Sequence, residues 1–219
     1  MRFYPALLSD SIEVIDQQLQ IAQSIPQVQT VQVDILDGLF ADNLTVFPSE
    51  LTDLNFGNLK LDLHLMVEEP IDFVHETLSY ASSLPIRAYI AQVEKMSFQD
   101  QFVEEVKKTK SLAGLSLDIF SPLEAIDEKV LPHLDCIQLM AIEAGFQGQQ
   151  LSELVYQKIK DLKKILQTNN LKIEIIVDGG VKLNNLLELK KAGVDSVAVG
   201  SMLWSASNPS VIAKEIDMV

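Results

Sequence analysis

The sequence predicts a single (β/α)8 barrel, an α/β protein of TIM-barrel architecture spanning residues 1–219. Three observations carry that expectation. Short apolar, β-branched runs alternate with longer segments of helical period, eight of each. Strand-then-helix units with no break in composition call for parallel strands joined by crossovers. Eight such units in 219 residues suit closure into a barrel better than an open doubly wound sheet.

The strand candidates, in order, are Phe3–Leu8, Thr30–Asp34, Lys60–Met66, Arg87–Val93, Leu112–Leu117, Cys136–Met140, Lys172–Val177 and Ser196–Val199. Helical periodicity is clearest over Ser11–Ser24, Ile71–Ser82, Phe98–Lys110, Leu151–Thr168 and Leu183–Ala192. Pro70, Pro122 and Pro209 stand near expected helix starts, where a missing N–H costs nothing. Gly193 follows Ala192 as an expected C-terminal cap. No solenoid-type repeat and no low-complexity linker interrupts the series.

Composition narrows the function classes. A hydrophobic content of 47% supports one large core. The net charge of -14 speaks against nucleic acid or an anionic membrane as partner, since both select clustered Lys and Arg. The single cysteine, Cys136, rules out an internal disulfide and fits a reducing compartment. The apolar stretch near Met1 is short for a secretory signal, and no run approaches the roughly 18 apolar residues of a membrane span. The expectation is a soluble, cytoplasmic protein.

Alternation along each strand selects the inward-facing residues: Gln32 with Asp34, Asp62 with His64, Gln92 with Glu94, Ser116 with Asp118, and Glu174 with Asp178. Barrel enzymes keep their chemistry on this face near the C-terminal strand ends. Asp34 and Asp178 stand at strand-to-loop junctions, with His64 in a similar setting, whereas Gln92, Ser116 and Glu174 are as readily hydrogen-bonded filler. Two carboxylates and an imidazole around one cavity are parts for moving a proton on and off carbon. With no Lys or Arg of matching parity nearby, such a collar implies a bound cation or raised carboxyl pKa values. Met66 and Met140 share the parity and are expected to wall the cavity. His75, on a helix, and His133, before a strand at the opposite end, are expected to have no role.

Three late loops carry glycine: Gly145-Phe146-Gln147-Gly148, Gly179-Gly180 and Gly200-Ser201. After strands six, seven and eight, such loops let backbone N–H groups close on a phosphate. Turn-making is the alternative reading for each.

Taken together, these residues resemble the ribulose-phosphate 3-epimerase family over nearly the whole chain. The resemblance rests on Pro5-Ala6-Leu7-Leu8-Ser9, Val33-Asp34-Ile35-Leu36-Asp37-Gly38 with Phe40 and Asn43-Leu44-Thr45, and His64-Leu65-Met66-Val67 with Pro70. It continues through Glu94, Gly145-Phe146, Gly148-Gln149, Val177-Asp178-Gly179-Gly180-Val181, Ala192-Gly193 and Gly200-Ser201. It implies an epimerase of a phosphorylated ketose, a homo-oligomer, with Asp34 and Asp178 as the acid/base pair. It also implies one divalent metal ion (Zn, Mn, Mg or Fe) on Asp34, His64 and Asp178, with Gln32 at the fourth position, where the family has histidine. His64, Met66, Gly145, Phe146, Gln147, Gly148, Gly179, Gly180, Gly200 and Ser201 would contact the sugar phosphate. Ala6 replaces a family serine, and Gln147 a family glycine. Because these departures fall on the site, two other readings stay open: a sugar-phosphate-binding homologue impaired in catalysis, and another phosphate-binding barrel lyase. The lyases have an Asp-x-Lys-x-x-Asp strand, and Asp62-Leu63-His64-Leu65-Met66-Val67 lacks its lysine and second aspartate.

Overall fold

The computed structural model describes residues 1–80, 83–146 and 148–219. Eight parallel strands close in sequence order, β1 pairing with both β2 and β8. They are β1 (Arg2–Leu7), β2 (Thr30–Leu36), β3 (Lys60–Met66), β4 (Ile86–Gln92), β5 (Leu112–Leu117), β6 (Cys136–Met140), β7 (Glu174–Asp178) and β8 (Ser196–Val199). Each lies within two residues of its expected bounds. The single (β/α)8 barrel is therefore the observed fold.

The helices are α1 (Ile12–Gln23), α2 (Pro70–Leu78), α3 (Gln99–Lys108), α4 (Leu154–Thr168), α5 (Leu183–Ala192), α6 (Ser201–Trp204) and α7 (Pro209–Asp217). The expectation of a long helix after every strand is corrected at two places. After β2 the chain makes only a 3-10 segment, Pro48–Asp53, and after β5 only the short turns Leu123–Ala125 and Leu131–His133. Pro48 and Pro122 stand at the starts of their segments, where a missing N–H costs nothing, whereas Pro132 would fall inside a helix continued from Leu123 and removes a donor it would need. Pro70 and Pro209 do open α2 and α7, and Gly193 caps α5 at φ 98°, a conformation glycine adopts without strain. The expected C-terminal end of the second helix, at Ser82, lies outside the described residues.

Strand alternation divides the molecule into two cores. Outward residues such as Val31, Val33, Ile35, Leu61, Leu63, Leu65, Ile137 and Leu139 join the large apolar layer under the helices. The inward residues are unusually polar: Gln32, Asp34, Asp62, His64, Gln92, Ser116, Gln138, Asp178 and Ser196 are all buried. A buried polar interior is stable only if its groups are paired, and here they pair in two tiers.

The lower tier plugs the N-terminal end. Asp62 takes a bidentate bond from Arg87, whose Nε lies 2.7 Å from Oδ1, and Arg87 also stacks over the Tyr4 ring. The Tyr4 hydroxyl and Ser196 donate to Glu174. Burial pushes the Asp62 carboxyl up, and the Arg87 guanidinium works against that rise. Asp62 and Glu174 thus share parity with the site residues but belong to a structural layer below them. Beside it, Gly114 leaves no room for a side chain, since a Cβ would stand 2.5 Å from Cys136 Sγ.

Candidate functional site

The upper tier lies at the C-terminal ends of the strands. Parallel register sets Asp34 beside His64 on adjacent strands and Asp178 beside Met140. Closure of the barrel then brings β7 round to face β2. Asp34, His64 and Asp178 each present a ligand-type atom, all within 4.8 Å of one another, so the three could hold a metal ion.

Gln32 lies at the centre of this group, fully buried. Its Nε2 donates to Asp34 Oδ1 at 2.8 Å and to Asp178 Oδ2 at 2.7 Å, and stands 3.4 Å from His64 Nδ1. His64 Nδ1 is 2.9 Å from Asp34 Oδ1 and 3.6 Å from Asp178 Oδ2. A second amide, Gln138 on β6, donates to the same Asp178 Oδ2 at 3.0 Å. The amide oxygens of both Gln32 and Gln138 are buried without a partner.

On its other side His64 meets Gln92. With the amide oxygen facing the ring, Gln92 accepts from His64 Nε2 at 3.2 Å and from Ser116 Oγ at 3.1 Å. Its nitrogen then donates to Glu94 Oε2 and the Ser116 carbonyl, so all its polar atoms are paired. This orientation places the Nε2 proton toward Gln92 and leaves Nδ1 facing the carboxylates. Gln92 is thus a positioning contact to His64 as well as filler.

The electrostatics follow from burial. Desolvation, then the charge of Asp34, lifts the Asp178 carboxyl to about 6, with His64 and Gln32 pulling it back. For His64, burial opposes the charged ring. The hydrogen bond to Asp34 and the charges of Asp34, Asp178 and Glu94 together outweigh that, and its pKa is raised.

A cavity of about 40 Å³ opens above the cluster. It is lined by Asp34, His64 and Asp178, by Ala6, Met66 and Met140, and by Gly145, Phe146, Gly148, Gly179, Gly180, Gly200 and Ser201. The expected contact residues therefore surround one space, apart from Gln147, which lies outside the described residues. Gln32 sits beneath the cavity. Glu94 and Asp118 do not converge with the pair: both are at the rim, where Glu94 accepts from the Asp118 N–H and Asp118 from the Ala144 N–H. Nor is the rim without a cation. Lys158 reaches up from α4 to donate to the carbonyls of Asp118, Ile119 and Ser121, at 2.7–2.8 Å.

Side-chain ties fix the loops around the cavity. Asp37 accepts from Leu39, Phe40 and Glu68 N–H groups, joining the β2 and β3 loops, and Asn43 Nδ2 donates to the Gly145 carbonyl at 2.7 Å. Gln138 and Lys158 were not singled out in the sequence. Gln138 had a signal, since it shares strand parity with Met140, while Lys158 had none.

Fold and cluster define a (β/α)8-barrel protein with a buried carboxylate–imidazole centre at its C-terminal mouth. The profile of the ribulose-phosphate 3 epimerase family matches residues 2–204, and the chain belongs to that family. It is 29% identical over 213 residues to the chloroplastic ribulose-5-phosphate-3-epimerase of Arabidopsis thaliana, covering 97% of this chain and 74% of that one. With the ribulose-phosphate 3-epimerase of Escherichia coli K12 it shares 30% identity over 188 residues, 85% of this chain and 81% of the other. Among solved structures, a tryptophan synthase α-subunit mutant from Pyrococcus furiosus superposes with a TM-score of 0.72. It covers 99% of this chain and 96% of its own at 14% identity, a likeness of fold alone.

Proposed function

We propose that the protein is an isomerase that epimerises a phosphorylated ketose of the ribulose 5-phosphate/xylulose 5-phosphate type at C3. The observation that carries this reading is the convergence of Asp34 and Asp178 on one small cavity from facing strands. One carboxylate takes the proton from C3, the carbon next to the ketone, and the other returns a proton to the opposite face. Only one oxygen of each carboxylate is engaged by Gln32, so each has a second oxygen to offer the substrate. The Asp178 carboxyl, lifted to about 6, is suited to carrying a proton near neutral pH.

Negative charge that develops on the ketose oxygens needs a positive or hydrogen-bonding partner. His64, which lines the cavity and has a raised pKa, supplies that within this chain. The donor set also fits a divalent cation: Asp34, His64 and Asp178 would hold it, and Gln32 would complete the set if its amide turned to bring the unpartnered oxygen inward. Such a cation (Zn, Mn, Mg or Fe) would act as a Lewis acid on the substrate oxygens, held more weakly than by a site with a second imidazole.

The glycine loops after β6, β7 and β8 would hold the phosphate through backbone N–H groups. A cavity of about 40 Å³ has room for only a few waters.

Deuterium incorporation at C3 of D-ribulose 5-phosphate or D-xylulose 5-phosphate in D2O tests the reading. Exchange that is lost in Asp34→Asn and Asp178→Asn supports it. A second reading, a sugar-phosphate-binding protein without catalysis, draws on the Gln32 amide lying between the two carboxylates. Binding of the sugar phosphate with no exchange would favour that second reading.

A further inference from the structure

Gln32 can present either a donor or an acceptor at the point between Asp34 and Asp178. As it stands, its Nε2 donates to Asp34 Oδ1 at 2.8 Å and to Asp178 Oδ2 at 2.7 Å, and stands 3.4 Å from His64 Nδ1. The other end of the amide, Oε1, is buried with no partner. A planar amide is nearly isosteric about its last side-chain bond, so half a turn would bring Oε1 to the place Nε2 now holds.

We propose that the Gln32 amide is a two-position element that makes metal occupancy of this centre conditional. With nitrogen inward it bridges Asp34 and Asp178 and closes the space to a cation. With oxygen inward it becomes the fourth ligand beside Asp34, His64 and Asp178. This rests on the reading of the cluster as the active centre.

The two positions exclude each other. An inward N–H2 satisfies two carboxylate oxygens but would point its hydrogens at a cation. An inward oxygen would stand against those same carboxylate oxygens, a repulsion that only a cation among them relieves. Binding therefore has to break two charge-assisted hydrogen bonds, which weakens it relative to a site with a permanent fourth ligand. With the amide oxygen inward, three of the four donors (Asp34, Asp178 and Gln32) would be oxygens, a set that suits Mg and Mn more than Zn.

Full-length protein stripped with chelator is titrated with Mg, Mn and Zn ions by calorimetry. In parallel, the side-chain N–H2 signals of Gln32 are followed by 15N NMR during the Mg titration. The expected results are weak, reversible binding in which Zn holds no more than about a tenfold advantage over Mn, and Gln32 signals that shift in step with Mg occupancy. Gln32→Glu, which can present only oxygen, should bind Mn at least a hundredfold more tightly. One equivalent of Zn retained through chelator dialysis overturns the proposal, as do Gln32 signals that stay fixed at saturating Mg. Failure of all three ions to bind the wild type at millimolar concentration overturns it too. The NMR arm uses the wild type, so a variant that fails to fold does not block the test. Neither arm uses a sugar, so an absence of C3 exchange would defeat the epimerase reading and leave this one standing.

Discussion

The Gln32 amide nitrogen lies 2.7 Å from Asp178 Oδ2, joining a residue of β2 to one of β7 through the middle of the barrel. With its second bond, to Asp34, it holds two carboxylates at a fixed separation under the cavity. Most of the expected behaviour of the site follows from that bridge.

If the carboxylates exchange the C3 proton, neither can be replaced by an amide. Asp34→Asn and Asp178→Asn should each lower kcat by about a thousandfold, within the range general acid–base catalysis contributes. Steady-state rates and C3 deuterium exchange should fall together. Retention of more than a tenth of the wild-type rate in either variant would remove that residue from the pair.

Stability should depend on pH through Asp178. Its carboxyl is raised from an ordinary 3.8 to about 6 on folding. A raised acid binds its proton more tightly in the folded state, so its contribution is full below pH 3.8 and is lost as pH climbs through about 6. His64, also raised, acts in the same direction at higher pH. In chelator, the stability advantage of wild type over Asp178→Asn should shrink by about 2 kcal/mol between pH 4 and pH 7. Urea denaturation across that range measures it, and a constant difference would contradict the burial argument.

The lower tier gives a test that leaves the site untouched. Arg87→Leu strips the guanidinium from a fully buried Asp62 and should cost about 3–5 kcal/mol. Adding Asp62→Asn should recover a large part of that loss, because the stranded charge is gone. Melting temperatures of the single and double variants decide the point.

Gly179 tests the loop after β7. Its φ is +99°, and a Cβ there would lie 2.3 Å from Ile142 Cγ1. Gly179→Ala should therefore displace the loop and raise KM for the sugar phosphate at least tenfold. The lower tier lies at the far end of the barrel, so the melting temperature should fall by only a few degrees. An unchanged KM would argue against phosphate contact at this loop.

The strands were legible because each is a compact apolar run whose neighbours in sequence are polar or helical. Parity along Gln32–Asp34, Asp62–His64 and Glu174–Asp178 correctly gave the inward face. It gave no depth along the barrel axis, however, so Asp62 and Glu174 looked equivalent to the residues above them. Depth depends on the stagger between strands and on partners such as Arg87 and Tyr4 from other strands. The missing helix after β5 had a local signal in Pro132, whereas Pro48 stands before the segment after β2 just as Pro70 and Pro209 stand at the starts of α2 and α7.

By itself, the sequence determined that eight parallel strands would form, which faces they would bury, and that Asp34, His64 and Asp178 would end on the inner side. These are consequences of backbone geometry and of periods two and 3.6, which act within a few residues. Only the tertiary structure decided that the Gln32 amide nitrogen would stand between the carboxylates, that Gln138 would join it on Asp178, and that Glu94 and Asp118 would stay at the rim. Those outcomes are set by barrel closure, which brings side chains distant in sequence within hydrogen-bonding range and leaves each buried polar group to find its partner there.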